Sequence, residues 1–199
     1  MVKSLEGQGA AYVPDKRSRQ WLKLKKDYVQ GLGDTFDLVV VGAWQGKGKR
    51  SGGLGAFLLA TWNPERGRFE TVTKLGSGFT DAQLVEFNTA LTALSRDSPA
   101  PDLDTPLGAD SLQPDVWIEP RQVWEIAAAD ISLSPVHRSG AYDMAAVENT
   151  SGFETAPPKG LALRFPRFIR IRTDKEPQEA TTAAQVMDVY QQQVQGSNT

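Results

Sequence analysis

The chain has 199 residues, 40% of them hydrophobic, which is enough for one substantial core, or for one core with an appendage. It has neither an apolar run near the ~20 residues a membrane helix needs nor a signal-peptide pattern behind Met1-Val2-Lys3. The lack of cysteine excludes disulfides and thiolate metal sites and fits an intracellular, reducing setting, while a single histidine, His137, argues against a multi-histidine metal site or a histidine-based triad. His137 is read as structural or incidental.

The net charge of −2 conceals a strong separation. Residues 1–29 carry seven Lys/Arg against three Asp/Glu, residues 159–175 carry six against one, and the stretch 46–52 adds Lys47, Lys49 and Arg50 with no acid. Residues 76–158 hold thirteen acids against three arginines. Cations gathered into three stretches form an anion-binding face if the fold brings those stretches together; taken singly, each also fits scattered solvated charge.

In chain order, Trp21-Leu22-Lys23-Leu24-Lys25-Lys26-Asp27-Tyr28 reads as a strand with Lys23 and Lys25 on one face and Leu22 and Leu24 behind them. Taken by themselves, these lysines also fit an edge that discourages sheet pairing. Leu38-Val39-Val40-Val41 predicts a buried strand, and residues 56–62 a second one after a glycine-rich basic loop. Asn63-Pro64-Glu65-Arg66-Gly67 predicts a turn, so residues 68–75 return as a third strand, ended by Gly76-Ser77-Gly78. Thr80-Asp81-Ala82-Gln83 has capping-box spacing, and Leu84, Phe87, Leu91 and Leu94 recur at helical intervals, which predicts an amphipathic helix over 80–95.

Residues 99–114, rich in proline and aspartate, are expected to form a loop, with short strands at 116–118 and 123–128 and a long polar connection over 138–158. The last strand or pair falls at 161–165 and 168–171. There Phe168, Arg170 and Arg172 share one parity and Ile169 and Ile171 the other, so on a regular strand the isoleucines face the core and the arginines face out. A short helix over 181–193 follows, with fraying from Gln191 onward.

Three strands, one helix and two further strands give the order of an oligonucleotide-binding barrel, so the expected fold is mainly β with α. It is a five-stranded OB-fold Greek-key barrel with one internal helix. The expected organisation is a remnant of a preceding domain over 1–29, the barrel over 30–182, and a terminal helix and frayed tail over 183–199.

The chain resembles the C-terminal part of eukaryotic replicative-type ATP-dependent DNA ligases over nearly its whole length. The stretch from Trp21 to Tyr28 is similar to that family's fifth nucleotidyltransferase motif, and Phe165-Pro166-Arg167-Phe168-Ile169-Arg170 running into Arg172-Thr173-Asp174-Lys175 is similar to its sixth. Supporting matches are Gly33-Asp34-Thr35, Gly48-Lys49-Arg50, Lys74-Leu75-Gly76 before Gly78-Phe79, and Ser132-Leu133-Ser134-Pro135. The family's nucleophilic lysine lies in a K-x-D-G motif that this chain does not contain, so these residues alone are expected to be inactive. Residues 1–29 then correspond to the end of the nucleotidyltransferase domain.

The resemblance implies roles. Lys23 and Lys25 would aim two ammonium groups at one phosphate of ATP, as catalytic and cofactor-binding groups. Arg172, Asp174 and Lys175 would close over ATP and orient the departing pyrophosphate; the family's barrel would then swing to the nick, which makes residues 27–35, with Gly31 and Gly33, candidates for a hinge or an inert linker. Arg164, Phe165 and Arg167 would contact DNA, with Phe165 an apolar wedge against the minor groove; Phe165 also fits a core position. Lys47, Lys49 and Arg50, on a loop whose backbone can approach phosphates, fit DNA contacts or a solvated turn.

ATP, with Mg2+ in the complete enzyme, is the implied cofactor, and no metal site is assigned to residues of this chain. The implied partners are nicked duplex DNA and the remainder of the ligase catalytic core, with no membrane. A sliding clamp belongs to the same setting, although no clamp-binding peptide occurs in this sequence, and the implied location is the nucleus. Two other readings fit parts of the pattern: an mRNA capping guanylyltransferase, which shares the lysine pair and the Arg-x-Asp-Lys string, and an autonomous OB-fold nucleic-acid-binding module.

Overall fold

The computed structural model describes residues 2–3, 21–22, 34–105, 112–142 and 159–196. The chain divides into two compact units, Met1–Gly33 and Asp34–Thr199. In the first, β1 (Val2–Lys3) pairs antiparallel with β2 (Trp21–Leu22). Lys23, Lys25 and residues 27–33 of the hinge candidate lie outside the described residues, whereas Asp34 and Thr35, the last two of that candidate, open a strand.

The second unit is built on three long antiparallel strands, β3 (Asp34–Gln45), β4 (Leu54–Asn63) and β5 (Arg68–Leu75). β-Branched and aromatic side chains fill them, and the run from Leu38 to Val41 is buried on both faces. Leu38 and Val40 face a core shared with Phe57 and Leu59, while Val39 and Val41 face a second apolar cluster with Leu58, Ala60 and Phe69. The first cluster is the barrel interior. The second is covered by Ala100, Leu103 and Ala180, with Leu112 and Trp117 packed against it.

After β5 comes α1 (Asp81–Thr92), capped as its sequence requires: Thr80 Oγ1 accepts from the Gln83 backbone and the Gln83 side chain accepts from the Thr80 backbone. The short strands β6 (Ser95–Arg96), β7 (Leu103–Asp104) and β8 (Val116–Ile118) follow. β7 runs parallel to β5, and β8 pairs with β6 and β3. Part of the expected 99–114 loop is therefore strand.

Ring closure depends on two bent strands. β9 (Val123–Ala128) pairs with β3, and past Ala129 the chain continues as β10 (Asp130–Ser134), an element not foreseen from the sequence, which pairs with β11 (Gly160–Arg164). β12 (Arg167–Ile171) returns along β9. β11 lies against β5, where Thr73 Oγ1 donates to the Leu163 carbonyl at 3.2 Å. Counting β9–β10 and β11–β12 as single strands gives five strands in the order of the OB fold, with α1 between the third and fourth. Leu84, Phe87 and Leu91 of α1 enter the interior, where Phe87, Phe57 and Phe168 all pack on Trp124 with ring centroids 4.6 to 5.2 Å away.

Two further sequence expectations need correction. Pairing of β12 with β9 slips by one residue between Phe168 and Arg170, so Ile169 is the extra residue of a bulge. Phe168 therefore points in and Ile169 is 43% exposed, the reverse of a regular alternation, while Ile171 packs on the core. The C-terminal helix, α2 (Ala183–Gly196), continues past Gln191 into the stretch expected to fray, of which residues 197–199 lie outside the described residues. Val186 anchors it in the core, and Gln193 Oε1 accepts from the Ile131 backbone at 3.1 Å. No helix among the described residues is long and apolar enough to cross a membrane.

Candidate nucleic-acid and phosphate interface

Phe165 occupies the corner between β11 and β12, and it is the one non-glycine residue with positive φ (54°) among those described. The residue is 44% exposed, which answers the choice between core and surface in favour of the surface. A left-handed backbone at a bulky residue costs on the order of 1–3 kcal/mol and persists only where its surroundings impose it. The surroundings do so from both sides. The Arg164 carbonyl accepts from the Ala129 N–H at 3.1 Å, the Pro166 carbonyl accepts from Ser77 Oγ at 2.8 Å, and the Phe168 N–H donates to the Ser77 carbonyl at 3.0 Å. Arg164 stands over the Phe165 ring at 5.5 Å, and Arg167 is exposed two residues on.

The basic loop reaches the same bracket. Gly46 N–H closes it on the Gly53 carbonyl at 2.7 Å, and its tip, Gly48–Arg50, is a 3-10 turn. Arg50 Nη1 donates to the Gly76 carbonyl at 3.1 Å, with the guanidinium 5.9 Å from the Phe79 ring. Lys47 is exposed beside it. The three residues 76–78 thus hold Arg50 on one side and the Phe165 corner on the other, so two of the three basic stretches meet. Lys49 is in the same turn, but its side chain lies outside the described residues.

Sequence reasoning missed Lys74, whose ammonium sits 3.6 Å from the Trp44 ring centroid. Its pKa is lowered by burial and by neighbouring Lys47, against an opposing pull from Asp115. The available signal was the match at Lys74-Leu75-Gly76, which stopped short of giving the lysine a role.

The remaining cations of the 159–175 stretch lie at the other end of β12, about 16 Å from Arg167 at strand spacing. Arg172 Nε and Nη2 donate to the two carboxylate oxygens of Asp174 at 2.9 and 2.7 Å, and Nη1 donates to both oxygens of Asp37 at 2.9 and 2.8 Å. Lys175 Nζ donates to Asp37 Oδ2 at 2.8 Å. Beside them Arg170 donates to Glu125 at 2.7 Å. The Arg172 bonds hold the exposed Asp174 carboxyl well below the usual carboxylate range, and the same bonds, then Asp37, raise the Arg172 pKa. Asp37 was not singled out from the sequence; its signal was an acid directly before the apolar run Leu38–Val41.

His137 belongs to none of these groups. It is buried, its Nδ1 has no hydrogen-bond partner, and burial lowers its pKa to about 4. Among the described residues no His, Asp or Glu cluster has the arrangement to hold a metal ion.

Comparison with known proteins places these features in a family. The family model described as "ATP dependent DNA ligase C terminal region" matches residues 50–175. DNA ligase 1 of Dictyostelium discoideum is 48% identical over 97% of this chain, and DNA ligase 1 of Schizosaccharomyces pombe is 46% identical over 98%. The chain spans 15% and 24% of those two relatives' lengths. Among solved structures, the ligase domain from M. tuberculosis LigD superposes with a TM-score of 0.53 at 22% identity, over 85% of this chain and 43% of that one, a likeness of fold.

Proposed function

Because the chain belongs to the ATP-dependent DNA ligase family, as its C-terminal region, we propose that it supplies the DNA-gripping barrel and the ATP-phosphate cations of an enzyme that seals nicks in duplex DNA. The reaction has three transfers: a lysine takes AMP from ATP, the AMP passes to the 5′-phosphate at the nick, and the 3′-hydroxyl displaces AMP. Each moves negative charge onto phosphate oxygens, so the protein's part is positioning and neutralisation. The chain's own sequence holds no K-x-D-G lysine, so the nucleophile comes from the remainder of the catalytic core. The described residues offer no metal site, and no step is assigned to a metal on them; Mg2+ would arrive with the ATP phosphates, whose charge it offsets.

On this reading Lys23 and Lys25 face the ATP phosphates, and Arg172 and Lys175 contact the leaving pyrophosphate, with Asp174 orienting Arg172. Phe165 enters the minor groove beside the nick while Arg164, Arg167, Lys47, Lys49 and Arg50 hold the flanking phosphates. The likeness to DNA ligase 1 of eukaryotes supports action in the nucleus, in replication and repair, with a sliding clamp in the same setting. The observation that carries the reading is the Phe165 corner: an exposed aromatic held in a costly backbone conformation, flanked by two arginines and tied through residues 76–78 to the basic loop.

The test is a gel-shift comparison of the 199-residue chain on nicked duplex, intact duplex and single strand. Preference for nicked duplex, falling steeply with salt and lost in Phe165→Ala, is expected. Preference for the single strand, with stacking of bases on aromatics, would favour the autonomous OB-module reading.

A further inference from the structure

Asp37 is the residue whose placement none of the roles above explains. It sits on β3, 13% exposed at the side chain, with its backbone fixed on both sides: its N–H donates to Thr181 Oγ1 at 2.9 Å and its carbonyl accepts from Thr181 N–H at 2.8 Å. Its carboxylate takes three charge-assisted bonds, two from Arg172 and one from Lys175. With Asp174 on the remaining face of Arg172, every guanidinium nitrogen is engaged. The group of four is electrically neutral, two cations against two carboxylates. As it stands it has no net attraction for a polyanion.

The two acids differ in freedom. Asp174 is 58% exposed at the side chain and lies two residues from Arg172 in the same turn, so it travels with that arginine and can swing away from it. Asp37 cannot follow, because it is held in a strand. A phosphate chain that takes Arg172 and Lys175 must therefore pull both away from a fixed negative charge.

We propose that Asp37 is a positioning residue that acts as a built-in competitor for phosphate. It holds Arg172 and Lys175 together between engagements, gives them up when a triphosphate arrives, and takes them back as pyrophosphate leaves. The proposal rests on the reading that Arg172 and Lys175 bind phosphate. A purely structural ion pair joining β3 to the turn after β12 makes a different prediction, since its loss alters stability and leaves anion affinity unchanged.

The measurement is calorimetric titration of inorganic tripolyphosphate into the 199-residue chain, wild type against Asp37→Asn, Asp37→Glu and Arg172→Ala. Asp37→Asn keeps the shape and removes the charge. At about 50 mM salt it should bind about tenfold more tightly than wild type, which corresponds to about 1.4 kcal/mol. That advantage should shrink at about 200 mM salt, where screening is stronger. Asp37→Glu should behave as wild type, and Arg172→Ala should bind more weakly.

Equal affinity in wild type and Asp37→Asn, with Arg172→Ala weakened, overturns the competitor role and leaves the phosphate reading intact. No binding by wild type or Asp37→Asn overturns both. If Asp37→Asn does not fold, the wild-type chain answers by nuclear magnetic resonance: the Arg172 Nε–H and the Asp37 carboxyl carbon must shift together as tripolyphosphate is added. Movement of Arg172 with Asp37 unmoved overturns the proposal.

Discussion

Replacing Gly78 with alanine tests whether residues 76–78 are the bracket that shapes the Phe165 corner. Gly78 has φ +97°, and a Cβ built on it falls 2.4 Å from the Phe168 nitrogen and 2.7 Å from the Phe168 oxygen. Both atoms are backbone, so no side-chain rotation relieves the overlap; β12 and the 76–78 segment must separate by about 1 Å to reach ordinary contact. The left-handed conformation alone costs an alanine about 1–2 kcal/mol. The separation breaks the Phe168 N–H bond to the Ser77 carbonyl, about 1 kcal/mol, and loosens Phe168 in the aromatic core, where full truncation costs about 3–5 kcal/mol. The combined expectation is a loss of about 3–4 kcal/mol, a large fraction of the 5–15 kcal/mol that holds a typical domain. Urea unfolding followed by tryptophan fluorescence reads it, with nicked-duplex binding measured beside it. Gly76→Ala is the internal control, because the nearest atom to its built Cβ is the Ala56 Cβ at 4.0 Å, and it should stay within about 0.5 kcal/mol of wild type. A Gly78→Ala loss under about 1 kcal/mol with unchanged DNA binding would refute the bracket.

Phe165→Gly separates strain from function: it relieves the positive φ, so stability should hold or rise by up to about 1 kcal/mol, while preference for nicked duplex disappears in a gel shift. Lys47→Ala should flatten the salt dependence of duplex binding by about one unit of log–log slope, read from a titration series, because one phosphate contact is lost. His137 gives a pH signature. Its folded pKa of about 4 lies below its ordinary value of 6.5, so its contribution is complete above about pH 6.5 and is lost as pH falls toward 4. Near pH 5 this amounts to about 2 kcal/mol, and His137→Gln should show an acid-side loss of stability smaller by that amount in denaturant titrations at pH 7 and pH 5.

The parts of this fold legible in the sequence are those whose signal is local. Thr80 and Gln83 are three residues apart, so their capping box could be read directly, and the apolar run from Leu38 to Val41 announces a strand whatever it pairs with. Strand β10 escaped because Asp-Ile-Ser-Leu-Ser carries only two apolar positions; its place comes from β11, thirty residues later in the chain. The bulge at Ile169 escaped for a related reason. Alternation assumes a flat partner, and the extra residue exists because β12 must leave the corner at Phe165 and still bring Phe168 onto Trp124.

The same distinction runs through the site. Arg164, Phe165, Arg167 and Arg172 are conspicuous in one short string, and a cation rule finds them. What each faces is set by residues far away in sequence: Ser77 fixes the corner across 89 positions, and Asp37 holds Arg172 across 135. Composition counts the charges of a basic segment and treats them as available for phosphate, yet folding assigns Arg172 to two carboxylates and leaves Arg167 exposed. The two ends of β12 are therefore different kinds of surface despite similar sequence. At the Phe165 corner Arg50 has a backbone carbonyl and an aromatic ring as neighbours, Arg164 stands over the Phe165 ring, and Lys47 and Arg167 are exposed, so on the proposed reading Lys47 and Arg167 meet a polyanion without first leaving a bidentate carboxylate. At the Arg172 end affinity for a polyanion exists only after an internal anion has been displaced, which makes engagement there conditional on a ligand charged enough to compete.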